Sequence, residues 1–145
     1  MNAYRTDVTI QPGRRGAASM TVTAADLSIA FGSGEVPALA TPRIVALREE
    51  ATLVALEGAL DPGQTSVGMR IHLDHLVPSA PGSEVVALVE LDHVDGLRLT
   101  FSAEARGEGA DGPLLASAII IRVVVETAAF LGRLGSADGT DSTNP

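Results

Sequence analysis

The chain has 145 residues, 46% hydrophobic and 19% charged, with a formal net charge of −8. That length supports one domain of ordinary size, and the composition is globular, not disordered or fibrous. The negative charge argues against nucleic acid and anionic membrane surfaces as partners, and the absence of Cys excludes disulfides, thiolate metal ligands and a Cys nucleophile.

Residues 1–17 mix charge, Gly and Pro without a sustained period and are expected to form a loose N-terminal arm. The domain is expected over 18–134. A first strand is predicted over 19–24, and Phe31-Gly32-Ser33-Gly34 reads as a loop. Thr41-Pro42 has the form of a helix start, with Thr as N-cap and Pro at the first helical position. That helix is predicted to run to Ala59, where Asp61-Pro62-Gly63 supplies turn chemistry.

Sheet follows. Over 66–77, Val67, Met69, Ile71, Leu73, His75 and Val77 alternate with mostly polar neighbours, which predicts one core face. A second strand is predicted over 84–92, with Val85, Ala87, Val89 and Leu91 inward, and Asp95-Gly96 marks a hairpin. The next, 97–106, points Leu97, Leu99, Phe101, Ala103 and Ala105 inward. Residues 114–126 are apolar on nearly both faces, as in a strand with neighbours on either side. A short helix over 128–134 closes the domain, and 135–145 is expected to be a disordered tail. No apolar run reaches the roughly 18 residues of a membrane span, and the N-terminus has no signal-peptide core, so a soluble cytoplasmic protein is expected. All ten basic residues are Arg, and Ala, Gly and Val abound, as in proteins from GC-rich bacterial genomes.

Two residues break apolar faces. On the helix, Arg43, Glu50 and Glu57 share a polar stripe, whereas Glu49 projects between Leu53 and Leu56 with Val45 close by. A carboxylate there is costly unless it reaches water, pairs with an Arg such as Arg48 or Arg70, or is functional. His75 interrupts the core face of its strand, while His72 and Asp74 fall on the opposite face. A core-facing His either bonds a backbone carbonyl or exchanges protons near neutral pH. His72 and His93 are assigned to the surface, and the period of two argues against a metal site from His72, Asp74 and His75.

One strand, one long helix and four antiparallel strands make the hotdog arrangement, an α+β fold with about five strands wrapped on a central helix. The chain resembles the fluoroacetyl-CoA thioesterase family of hotdog enzymes in Ala40-Thr41-Pro42, Glu49, Asp61-Pro62-Gly63, Ser66-Val67-Gly68 and His75 ahead of Pro78 and Pro81-Gly82. The resemblance implies hydrolysis of an acyl thioester carried by CoA or an acyl carrier protein. It implies no cofactor, Thr41, Glu49 and His75 as the catalytic set, and Gly68 against the acyl group. Glu49 is left open as nucleophile or base. In the loop where the family carries bulky aromatic gate residues, this chain has Gly32-Ser33-Gly34-Glu35-Val36, so Gly34 and Val36 are the expected substrate contacts and fluoroacetyl selectivity is not implied. Where members often carry Thr-His-x-Arg, this chain places Ser117, Ala118 and Ile120. A homodimer is expected, and Arg43, Arg70, Arg98 and Arg106 are candidates to hold the carrier's phosphates. Another acyl-thioester reaction, hydration or dehydration, and a non-catalytic acyl-binding role are the alternatives.

Overall fold

The computed structural model describes residues 9–142, with side chains described through position 135. Five strands form one antiparallel sheet in the order β1-β3-β4-β5-β2. These are β1 (Arg15–Thr21), β2 (Gln64–His75), β3 (Glu84–Asp95), β4 (Arg98–Gly107) and β5 (Leu114–Glu126). Helix α1 (Ser28–Phe31) is a single turn, α2 (Thr41–Ala55) is the central helix and α3 (Thr127–Ser142) ends the described chain. The sheet curls around α2 as an α+β hotdog fold. Ile44, Leu47, Ala51 and Ala55 of α2 meet Val85, Ala87, Leu91, Leu99, Phe101 and Ile120 in one core cluster.

The first strand starts at Arg15, inside the segment expected to be a loose arm, while residues 1–8 lie outside the described ones. Small side chains explain the shift. Gly16, Ala18 and Met20 face the helix, and a Cβ at Gly16 would press into the Ala51 carbonyl oxygen and the Ala55 amide nitrogen. A segment without an apolar period can therefore still be a strand, because its inward residues are selected for closeness and not for bulk.

The central helix stops at Ala55, short of the predicted Ala59, because the chain turns through Gly58 at φ 72°. Its N-cap is Ala40, without a side-chain cap, and Thr41 is the first helical residue. At the other end, α3 runs on to Ser142 through most of the segment expected to be a disordered tail, and residues 143–145 lie outside the described ones. No Pro interrupts that segment before the last residue, and Gly135 and Gly139 lower helix propensity without blocking the backbone ladder.

Strand β2 departs from strict alternation in a way that matters for the site. Its pairing with β5 slips between Gly68 and Arg70, leaving Met69 as a bulge. Before the bulge Ser66 and Gly68 stand opposite Val124 and Arg122, and after it Ile71, Leu73 and His75 stand opposite Ile120, Ala118 and Ala116. The partners on β5 are the buried set. The bulge thus brings Gly68 and His75 onto the same, helix-facing side, where an unbroken period of two puts them on opposite faces. Val67 and Met69, expected inward, face away from the core stripe for the same reason.

Candidate active site

Two loops converge where α2 begins. Ser28 donates its hydroxyl to the Val36 carbonyl at 2.8 Å, Leu39 N–H donates to the Ser79 carbonyl at 2.9 Å, and Ala40 N–H donates to the Asp26 carbonyl at 2.8 Å. Arg43 ties the first turn of α2 to Asp26 at 3.1 Å. With its start pinned by backbone bonds and this ion pair, the helix does not need Thr41 as a cap. The Thr41 hydroxyl instead stands 2.9 Å from His75 Nδ1 at the end of β2. Ser28, Gly34, Val36, Leu39, Thr41, His75, Leu76 and Pro78 line a cleft of about 370 Å³ above this pair. The sequence-predicted contacts Gly34 and Val36 therefore share one cleft with Thr41 and His75.

Glu49 lies elsewhere on α2. Its Oε2 accepts from Arg122 Nη1 at 3.1 Å, and Arg122 is held in turn by its Nε donating to Ser66 Oγ at 2.8 Å and its Nη2 to the Ser66 carbonyl at 2.9 Å. Gly68 packs directly on the Glu49 carboxylate, so closely that a Cβ there would collide with Oε2. Glu49 is not inside the apolar face as the helical projection suggests. The buried stripe is Ile44, Leu47, Arg48, Ala51, Thr52 and Ala55, and Glu49 is about 130° from its middle at 100° per residue. Leu53, which flanks Glu49 in projection, is 49% exposed. The charge misplaced in the core is Arg48, fully buried and without a hydrogen-bond partner on any guanidinium nitrogen among the described residues.

The sequence trio is thus split within one chain into a Thr41–His75 pair and a Glu49–Arg122–Gly68 cluster. Eight positions separate Thr41 from Glu49 on α2, about 12 Å along the axis. Arg122 is the residue that sequence reasoning passed over, although a lone charge in the otherwise apolar run of β5 is a visible signal. It, not Arg48 or Arg70, pairs with Glu49. Of the carrier candidates, Arg43 pairs with Asp26 and Arg106 with Glu104, whereas Arg70 and Arg98 are exposed and have no ion pair among the described residues. His72 and His93 are exposed.

Electrostatics separate the two groups further. Burial, followed by the Arg48 charge, pushes the His75 imidazole below its ordinary pKa of 6.5, and the nearby Val77 backbone opposes the shift. A neutral ring can accept a proton at Nδ1 in neutral water. Burial lowers the Arg122 pKa and Glu49 opposes that shift. The first peptide units of α2 place partial positive charge beside Thr41.

A five-stranded antiparallel sheet curled on one central helix places the chain in the hotdog class. The chain belongs to the fluoroacetyl-CoA-specific thioesterase family, whose model matches residues 22–128. It is 36% identical to the fluoroacetyl-CoA thioesterase of Streptantibioticus cattleyicolor over 72 residues, which is 50% of this chain and 51% of that protein. The match spans about half the length of this curated relative. A crystal structure of a fluoroacetyl-CoA-specific thioesterase variant is 26% identical, with a TM-score of 0.78 over 88% of this chain and 97% of that one. A Thermus thermophilus hypothetical protein of the thioesterase superfamily shares the fold at 22% identity, with a TM-score of 0.78 over 90% of this chain and 97% of its own.

Proposed function

We propose that this chain hydrolyses an acyl thioester of CoA, with Thr41, His75 and Glu49 as its catalytic set. The observation that carries the proposal is the Thr41 Oγ1–His75 Nδ1 contact of 2.9 Å at the floor of a cleft. In this reading the Thr41 hydroxyl and the start of α2 hold the thioester carbonyl or the attacking water, and Gly68, which lacks a side chain, lets the acyl group approach Glu49. Either Glu49 as base takes a proton from a water whose oxygen bonds to the acyl carbon, or Glu49 itself bonds to the acyl carbon, displacing the thiolate, and water then hydrolyses the resulting anhydride and regenerates the carboxylate. The C–S bond breaks, and His75 delivers the proton to the thiolate. Gly34 and Val36 replace bulky gate residues, which favours an acyl group larger than fluoroacetyl. An acyl carrier protein is the alternative carrier. The proposal places the chain in the cytoplasm, and no described helix is long and apolar enough to cross a membrane.

A homodimer completes this reading. Strands β1 and β2 are the free edges of the sheet, and exposed Leu53 and Met69 border the Glu49 cluster. A second copy seated there would cover both side chains and bring a Glu49 cluster toward a Thr41–His75 pair. Release of free thiol from acyl-CoA esters of graded chain length tests the function. Turnover that falls about 10²- to 10⁴-fold in Glu49→Gln supports it. Intact thioester after prolonged incubation, with ligand bound equally by both proteins, would leave a binding protein instead. Light scattering of a stable monomer would remove the dimer.

A further inference from the structure

We propose that the cleft beside Thr41 and His75 takes an uncharged apolar acyl chain, and that Ser28 is the specificity-determining residue that fixes the wall along which the chain lies. This rests on the reading of the protein as a thioesterase and names its substrate class.

One wall of the cleft is residues 28–39, and backbone bonds close its two ends. Ser28 N–H donates to the Ala38 carbonyl at 2.8 Å, Leu27 bridges Leu39, and Leu39 N–H donates to the Ser79 carbonyl at 2.9 Å. The other wall, residues 75–78, is fixed where the amides of Leu76 and Val77 both donate to the Leu115 carbonyl. At the tip of the first wall the chain reverses at Gly32, φ 70°, and Ser33 N–H returns to the Ser28 carbonyl at 3.0 Å. Residues 34–37 carry Val36 to the cleft. Among the described residues one hydrogen bond holds them, from the Ser28 hydroxyl to the Val36 carbonyl at 2.8 Å, with the Ala38 carbonyl 3.3 Å away as a weaker second acceptor. Gly34 packs on the same side chain, where a Cβ would lie 3.1 Å from Ser28 Cβ. Ser28 is buried, so its hydroxyl is shielded from water that would compete for it. The placement of Val36 therefore depends on one buried hydroxyl.

The lining selects the acyl group. Apart from His75, no side chain around the cleft is ionisable. A carboxylate or ammonium on the acyl group would leave water and meet no counter-charge there, which is costly. Val36 and Leu76 line the cleft from the two walls and are 59% and 57% exposed. An apolar chain lying between them removes both from water, and that is favourable. At about 370 Å³ the cleft is at the small end of ligand sites, which span roughly 300–1,000 Å³, so the chain it covers is of modest length.

The test is free-thiol release from straight-chain acyl-CoA esters, acetyl to decanoyl, by the wild type, Ser28→Ala and Val36→Ala. Glutaryl-CoA against pentanoyl-CoA is the control for charge. In the wild type, kcat/KM should rise about fourfold per methylene until the cleft is full, which is ~0.8 kcal/mol per buried CH₂ converted at ~1.4 kcal/mol per factor of ten. Glutaryl-CoA should lag pentanoyl-CoA by about tenfold or more. Ser28→Ala should flatten the rise with chain length, chiefly through KM, whereas a merely structural loss would lower every ester by the same factor. Val36→Ala changes an exposed position that the fold does not need, and it should flatten the rise as well, so the test stands even if Ser28→Ala does not fold. A wild-type profile that is level or falls with chain length, or a preference for glutaryl-CoA, overturns the proposal and leaves the hydrolase reading in place. Graded calorimetric binding of the same esters without thiol release upholds the acyl cleft and sinks the hydrolase reading. If Val36→Ser changes the oligomeric state and leaves the chain-length profile unmoved, a second copy covers Val36 and the proposal falls.

Discussion

Thr41 Oγ1 meets His75 Nδ1 at 2.9 Å because Thr41 is the first residue of its helix and not the cap. A capping hydroxyl accepts from the backbone of its own helix, which fixes where its oxygen points. Pinning the start of α2 through Ala40 N–H and the Arg43–Asp26 pair frees that hydroxyl for the cleft. Thr41→Val keeps the side-chain shape and removes the oxygen. It should lower kcat/KM about 10²- to 10⁴-fold. The pair is partly exposed, so the loss of stability should stay near 1 kcal/mol. Thiol-release kinetics and urea unfolding measure the two effects separately.

Gly68 is the second point where one atom decides. The bulge at Met69 turns its missing side chain toward the Glu49 carboxylate, leaving no room for a Cβ. Gly68→Ala should displace Glu49 from Arg122 and reduce turnover at least tenfold. Overpacking of this kind costs about 1–3 kcal/mol. Wild-type activity at a lowered thermal midpoint would show that Glu49 does not need its present position.

The fold was legible because strand and helix periods are set by burial on one face. β5 falls on its predicted bounds, and β3 and β4 on theirs to within a few residues. What alternation misses is a bulge, since one extra residue reverses every inward side chain before it, as at Ser66 and Gly68. The helical projection misassigned Glu49 and passed over Arg48 because it weighs neighbours on the same helix. The depth of a position is set by what packs against the helix from elsewhere in the fold, which leaves Arg48 fully buried and the Glu49 side chain 34% exposed. Arg122 is similar: its role depends on Ser66 and Glu49, which are 56 and 73 positions away.

The pH dependence of stability follows from two shifted groups. His75 is depressed below 6.5, so its unfolded form binds a proton more readily than its folded form. Its contribution is complete above 6.5 and is lost as pH falls below it toward the folded value. Asp26 is also depressed, below 3.8, first by its bond from the Thr23 backbone N–H, with Thr23 Oγ1 and Arg43 adding to the effect. Its contribution is present above 3.8 and is lost as pH falls through its folded value. Urea midpoints measured against pH should therefore drop in two steps, and His75→Gln should abolish the upper step alone. A midpoint that is flat from pH 7 to 5 in the wild type would contradict the buried neutral ring.

Gly16 tests how the helix is held against the sheet. α2 lies against β1 through Ala51 and Ala55, two small residues facing a glycine, so the backbones themselves are in contact. Arg14 locks this approach by donating from Nε to the Ala55 carbonyl at 2.6 Å and from Nη2 to the Glu57 carbonyl at 2.7 Å, which also caps the end of α2. The Cβ of Gly16→Ala would strike backbone atoms, and backbone cannot move aside as a flexible side chain can. The expected cost is about 1–3 kcal/mol for Ala and more for Val. Arg14→Met should remove the two carbonyl bonds at roughly 1–3 kcal/mol without touching the cleft, because charged donors make the stronger bonds. Chemical unfolding of both variants measures these costs. If Gly16→Ala is as stable as the wild type, the helix has slack against β1, and the placement of Thr41, which shares that rigid helix, would have to be set by its first turn alone.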